Sequence, residues 1–215
     1  MTETPDPQAL LLAWLSPGYP VGAFAYSHGL EAAIAAGAVQ DAKTLADWIA
    51  DALAHGAGRT DAILAAHAVR AEGAGLAELA DLARALAPSE ERLMETALPG
   101  AAFARTTREG WGIDVADAPF PVALGAAAGA AGIAPGQLLP AMLQAFATNL
   151  VSAGVRLIPI GQTEGQRVVA GLMPLIARVA SEAEDASLDE IGSAAFALDI
   201  VSQRHETQTV RLFRS

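Results

Sequence analysis

Residues 136–158 read GQLLPAMLQAFATNLVSAGVRLI, and the spacing of their apolar side chains decides the fold class. Leu139, Met142, Leu143, Phe146, Leu150 and Val151 recur at three- and four-residue intervals. On a helix of about 3.6 residues per turn they share one face, so the spacing predicts a helix over about 136–158 with that face inward, ended by Pro159. The segment belongs to a longer run, residues 118–155, that carries no charged side chain and so also admits a membrane-spanning reading. Pro119, Pro121, Pro135 and Pro140 interrupt that run, and its first half is mostly Ala and Gly, too weakly apolar to favour lipid strongly. A buried hairpin of two helices, about 121–131 and 136–158, is expected instead.

The same period extends outward in both directions. Pro5 and Pro7 suit the first turn of a short helix through Trp14, and residues 16–24 break it. Helix is expected again from about Ala25 to Ala36 with Gly37 as its stop, and then from an Asp41 cap to about His55. Gly56 and Gly58 separate this from a helix over 59–72. Leu76, Leu79, Leu82, Ala83 and Leu86 stripe the next one up to Pro88. Ser89 caps EERLMETAL, and Pro99 with Gly100 predicts two helical pieces split near 99. Thr163 with Gln166, and Ser187 with Glu190, have capping-box spacing ahead of RVVAGLMPLIARVA and IGSAAFALDIVSQ. No segment alternates with period two. An all-α, compact, single-domain bundle of about ten helices follows.

Composition narrows the function. Of 215 residues, 53% are hydrophobic but only 5% aromatic, so Ala, Leu, Val and Ile in close-set helices must supply the core. The net charge of -11 repels phosphate backbones and anionic lipid, which argues against nucleic-acid and membrane partners. Cysteine is absent, removing disulfides, thiolate ligands and cysteine nucleophiles. Residues 1–18 carry acids where a secretory signal carries Lys or Arg, so no export is expected.

Catalytic constellations do not emerge from the spacing. His28, His55, His67 and His205 never fall three or four apart, so no helix face aims two rings at one ion. His67 reads as a core or boundary residue and His55 as a C-terminal charge partner of its helix. Ser27 in YSHG lacks the strand that a nucleophile elbow requires. GAAAGAAG at 125–132 lacks the Lys and Ser or Thr of a phosphate loop, and its small residues suit helix contact.

Three segments hold more polar detail than packing needs. SPGYPVGAFAYSHGLEAA, residues 16–33, stiffens a turn with prolines and presents Tyr19, Phe24 and Tyr26, either to fill an internal corner or to meet a partner. NLVSAGVRLIPIGQTEGQRVV, residues 149–169, sets Arg156 in an apolar run, where it must reach carboxylates, carbonyls or a subunit contact. RHETQTVRLFRS, residues 204–215, places three of thirteen Lys and Arg residues beside Val210, Leu212 and Phe213. Those apolar side chains suit a segment that orders on docking better than a frayed end.

Together the three segments resemble the UreF family of urease accessory proteins, in SPGYPVGAFAYSHGLE, in RLIPIGQTEGQRV and in RHETQTVRLFRS, with Asp61 and the Glu95–Thr96 pair also in place. Departures are Pro99, where the family often has Gln, and the lack of a tyrosine near Thr209. The resemblance implies an all-helical, cytoplasmic protein with no catalytic residue, metal ligand or cofactor of its own. It implies a complex with UreD (also called UreH) and the GTPase UreG that loads nickel into apo-urease, with a homodimer of this chain as adaptor. It assigns Pro20, Gly22, Phe24, Tyr26, Ser27 and Glu31 to the N-terminal contact surface, with Arg156, Gln162 and Gln166 as further contacts. It assigns Arg204, His205, Glu206, Gln208, Arg211, Leu212, Phe213 and Arg214 to a tail, residues 204–215, that folds against UreD. The alternatives are a GTPase-activating role through Arg156, Gln162 or Arg167, and a nickel carrier, which the missing cysteines and scattered histidines disfavour.

Overall fold

A computed structural model describes residues 6–215, and every regular element among them is helical. There are ten α-helices: α1 Pro7–Trp14, α2 Leu30–Ala35, α3 Ala42–His55, α4 Ala57–Arg70, α5 Ala74–Ala85, α6 Glu90–Trp111, α7 Phe120–Ala130, α8 Pro135–Leu157, α9 Gln162–Asp185 and α10 Phe196–His205. Short 3-10 turns occur at Ala23–Ala25 and Leu188–Glu190. Pro5 lies outside the described residues, and α1 begins at Pro7 with the Asp6 carboxylate accepting from Ala9 N–H.

Helix α4 is the axis of the bundle and packs against α3, α5, α7, α8 and α9. Its small side chains make this possible: Ala62, Ala65, Ala66 and Ala68 are buried, so neighbours approach its backbone closely. The closest neighbour is α7, whose Gly125 and Gly129 rest on the Ala65 and Val69 carbonyls of α4 and leave no room for a methyl group. The small residues of 125–132 are thus a helix contact, as their composition suggests. Aromatic side chains fill one end, where Phe103 meets Trp14, Tyr19 and Phe120 at centroid separations of 5.5–5.7 Å.

The inward face expected for 136–158 is present in α8, with Leu139, Met142, Leu143, Leu150 and Val151 buried and Phe146 half-buried. By length and composition α8 could cross a membrane, yet half of its most apolar stretch is buried inside the fold. Helices α7 and α8 do not pair as a hairpin, however. α7 lies on α4 and α6, while α8 lies mainly on α9, because the glycines of α7 fit the alanine face of α4 more closely than the bulkier α8.

Beyond residue 36, three further boundaries differ from the sequence expectation. α6 runs unbroken through Pro99, since Pro99 and Gly100 are both buried, Gly100 against the Ala118–Phe120 segment, and that packing outweighs the hydrogen bond the proline cannot donate. α9 starts at Gln162 with no side-chain cap, so Thr163 and Gln166 are not a capping box. The Ser187–Glu190 box does form, but it closes the 3-10 turn, and α10 begins only at Phe196.

Candidate functional site

The stretch expected to be helical from Ala25 begins instead as a 3-10 turn, passes through extended Tyr26 and reaches α2 only at Leu30. Two left-handed residues delay the helix, His28 at φ 54° and Gly29 at φ 75°. Gly29 has a second constraint, because a side chain there would collide with the Ser202 backbone of α10. The turn is shaped around the other end of the chain.

Residues 205–215 lie across this turn. Arg214 N–H donates to the Ala25 carbonyl at 2.8 Å, and Ser27 N–H donates to the Ser215 carbonyl at 2.7 Å, joined there by the Ser27 hydroxyl. Glu31 is the main acceptor. Its carboxylate takes Leu212 N–H at 2.6 Å and Phe213 N–H at 2.9 Å, and its Oε2 lies 3.3 Å from His205 Nε2. His205 is 0% exposed, and its Nδ1 lies 2.7 Å from Glu91 of α6, whose other oxygen meets Arg211 at 2.5 Å. Glu206 reaches the first turn of α6 and accepts from Glu90 N–H at 2.8 Å, a favourable place for a carboxylate.

A second set of charges continues from this seam. The Ser215 hydroxyl donates to Glu95, which also accepts from His28 N–H at 3.1 Å. His28 Nδ1 stands 2.9 Å from Glu95 Oε2, an ion-pair contact off the hydrogen-bond line. Arg92 binds Asp61 at 2.6 Å and lies 3.6 Å from Glu95. Burial pushes the Glu95 carboxyl up, but His28, Arg92 and the Ser215 hydroxyl together outweigh burial and hold it at about 2. Burial likewise pushes Arg92 down, and Asp61 with Glu95 more than restores its charge. A cavity lined by His28, Asp61, Arg92, Asp199 and Ser202 adjoins these groups.

The expected site residues therefore divide. Tyr26, Ser27, Glu31, His205 and Phe213, expected at a partner surface, are internal in this chain, where Ser27, Glu31, His205 and Phe213 bind its two ends to each other. Residues 204–215 pack on the chain's own body, with His205, Phe213 and Ser215 buried there. Pro20, Phe24, Arg204, Glu206, Arg211, Leu212 and Arg214 remain exposed, and Gly22 and Gln208 are half-exposed. Arg156 is exposed too, with its guanidinium 5.0 Å from the Phe213 ring, 3.5 Å from the Phe24 carbonyl and 3.3 Å from the Ser152 carbonyl, so its partners are a ring, two carbonyls and the Ser152 hydroxyl rather than a carboxylate. Gln162, Gln166 and Arg167 are exposed on the first turns of α9. His67 is a boundary residue, with Nε2 at 2.9 Å from the Ala186 carbonyl.

Glu91 and Arg92 come from α6, which the sequence marks only as a capped helix, while Asp61 and Glu95 stand out only in the family resemblance. The clue to Glu91 and Glu95 is a four-residue spacing that puts both on one face of α6. Chemically the seam holds backbone in place, because Ser27 spends its hydroxyl on a carbonyl and has no base beside it. Among the described residues no group of three or more His, Asp and Glu side chains is arranged to hold a metal ion.

Large apolar side chains are exposed on α10 and on the segment that follows it. Phe196 and Ile200 of α10 are exposed at 71% and 49%, and Val210 and Leu212 after it at 84% and 66%. Single exposed apolar residues are ordinary, but four on one short helix and its extension are not.

The chain is similar to known proteins along nearly its whole length. The UreF family model matches residues 39–173. A protein of Cereibacter sphaeroides called urease accessory protein UreF is 58% identical over 205 residues, covering 95% of this chain and 97% of its own. Proteins of the same name from Methylobacterium sp. and Bradyrhizobium sp. are 53% and 47% identical, covering 96% and 100% of this chain and 88% and 95% of theirs. On that match, sustained along nearly the whole chain, the protein belongs to the UreF family of urease accessory proteins.

Proposed function

We propose that this chain is a non-catalytic adaptor in urease maturation, acting in the cytoplasm as a homodimer that bridges UreD and the GTPase UreG while nickel is loaded into apo-urease. The observation that carries the adaptor reading is the exposure of Phe196, Ile200, Val210 and Leu212, four large apolar side chains on α10 and the segment after it. Large apolar side chains on a docked, hydrogen-bonded segment lose little conformational entropy when a partner covers them. Binding energy is thus concentrated where the seam holds the backbone in place. The exposed Phe24 and Arg156, joined through the Phe24 carbonyl, offer a second contact area beside Phe213 of the same segment.

Point changes test this without opening the seam. Ile200→Asp and Val210→Asp, on exposed side chains, are expected to leave the thermal midpoint unchanged and to abolish copurification with UreD. Full copurification of both variants would refute the placement of this contact.

A GTPase-activating role keeps one favourable observation, the exposure of Arg156 near the end of α8 and of Gln162 and Arg167 at the start of α9. Single-turnover GTP hydrolysis by UreG in the complex separates it from recruitment. A group acting inside the active site is worth on the order of a thousandfold in rate, so Arg156→Ala, Gln162→Ala and Arg167→Ala variants that all keep the stimulated rate would leave recruitment alone.

A further inference from the structure

We infer that His205 is a proton-dependent clasp: its imidazolium form locks residues 206–215 onto the body of the fold, and loss of one ring proton loosens them. The inference does not rest on the proposed assembly with UreD and UreG, and it concerns a residue buried inside this chain.

Both ring nitrogens face carboxylates, Nδ1 toward Glu91 at 2.7 Å and Nε2 toward Glu31 at 3.3 Å. An ionised carboxylate only accepts hydrogen bonds, and a neutral imidazole donates from one nitrogen alone. Satisfying both contacts therefore takes two ring N–H groups, the charged form. Charge balance points the same way. The groups around the ring are Glu31 from α2, Glu91 from α6 and, on the far oxygen of Glu91, Arg211 from the C-terminal segment. Glu206, next to His205, turns to the start of α6. With an imidazolium, two negative charges meet two positive ones; with a neutral ring, a carboxylate with 9% or less of its side chain exposed is left uncompensated.

The carboxylate that would lose its partner is the one holding the segment. Glu31 accepts from both Leu212 and Phe213 N–H. A neutral ring turns a lone pair toward either Glu31 or Glu91, and the repulsion acts on helix α10 at the point where the segment begins. Proton binding at one buried ring is in this way linked to docking of the segment that carries Val210 and Leu212.

The test uses the full chain and two NMR observables read across a pH series. Nitrogen shifts of the His205 ring report which nitrogens carry protons, and amide exchange at Leu212 and Phe213 reports docking. The expected result is a doubly protonated ring at the acidic end of the series. As that ring deprotonates, the protection factors of the two amides should fall together by roughly tenfold or more, the scale of one charge-assisted hydrogen bond. A ring that is neutral wherever the amides are protected would overturn the inference, as would deprotonation that leaves them protected. A His205→Gln variant supplies the second arm. Its neutral side chain should leave amide protection low and independent of the ring transition, whereas wild-type protection factors in that variant would also refute the clasp.

Discussion

Two regions of this molecule solve the burial problem in opposite ways. Around α4 the interior is made of Ala, Leu, Ile and Val, and helices close on each other because Gly125 and Gly129 bring α7 onto the backbone of α4. Between residues 23–31, the first turns of α6 and residues 205–215, the interior holds Glu31, Glu91, Glu95 and His205. The apolar region tolerates any arrangement that fills space at the right density. The polar seam tolerates only the arrangement in which every charge and donor meets its counterpart, since an unpaired buried charge costs more than a pair contributes. The first region supplies stability and the second supplies specificity, fixing how the two ends of the chain meet.

Paired substitutions sharpen that contrast. Phe103→Ala removes a ring packed on Trp14, Tyr19 and Phe120 and should lower stability by about 3–5 kcal/mol, with amide protection falling throughout the helices. Glu31→Ala removes the acceptor of two backbone N–H groups and of His205, a change of about 3 kcal/mol for breaking a buried ionic contact. Its loss of protection should be confined to residues 23–31 and 205–215, where the local opening energy is lowered. Hydrogen exchange followed by mass spectrometry distinguishes the two patterns. Uniform loss in both variants would mean that the seam and the core are one cooperative unit.

Acid offers a smaller and graded perturbation of the seam. Glu95 is held at about 2 against an ordinary value of 4.5, so the folded state binds its proton less readily than the unfolded chain does. A depressed carboxyl contributes stability in full above the unfolded value and loses that contribution as pH falls toward the folded one. Stability measured by denaturant should therefore decline as pH drops from about 4.5 to 2, and a Glu95→Gln variant, less stable at neutral pH, should show a flatter profile over that interval. Equal slopes in the two proteins would remove Glu95 as the acid-sensitive group.

The sequence makes the apolar region legible and the seam nearly silent. Leu139, Met142, Leu143, Leu150 and Val151 are placed by helical spacing alone, and Asp41 and Ser89 by their capping chemistry, because those patterns are local. The segments at 16–33 and 204–215 stand out for their composition, yet nothing local says that they bind each other. Ser27 and Ser215 are 188 positions apart, and a hydroxyl, a carbonyl and three carboxylates carry no period that points across such a distance. The unbroken α6 has the same origin. Pro99 argues locally for a break, and the burial of Gly100 against 118–120, which overrides it, is a tertiary contact. The internal partners of Glu31 and His205 are silent for a related reason, as a charged residue beside apolar neighbours looks the same in sequence whether its counterpart lies inside the chain or outside it.

The smallest effect tests whether charge pairing in general, or burial of the pair, gives the seam its importance. Lys43 and Asp47 of α3 form a 2.6 Å ion pair at helical spacing, as short as Arg92–Asp61, but both side chains stand mainly in water. Solvent already satisfies each charge there, salt screens the attraction, and two long side chains lose freedom by staying together. Lys43→Ala should therefore leave the denaturation midpoint unchanged in low and in high salt, while Arg92→Ala, which abandons Asp61 and Glu95 in the interior, should lower it markedly. A Lys43 variant as damaging as the Arg92 variant would mean that distance between charges, rather than exclusion of water, sets their worth in this fold. The division between a forgiving core and an exacting seam would then lose its physical basis.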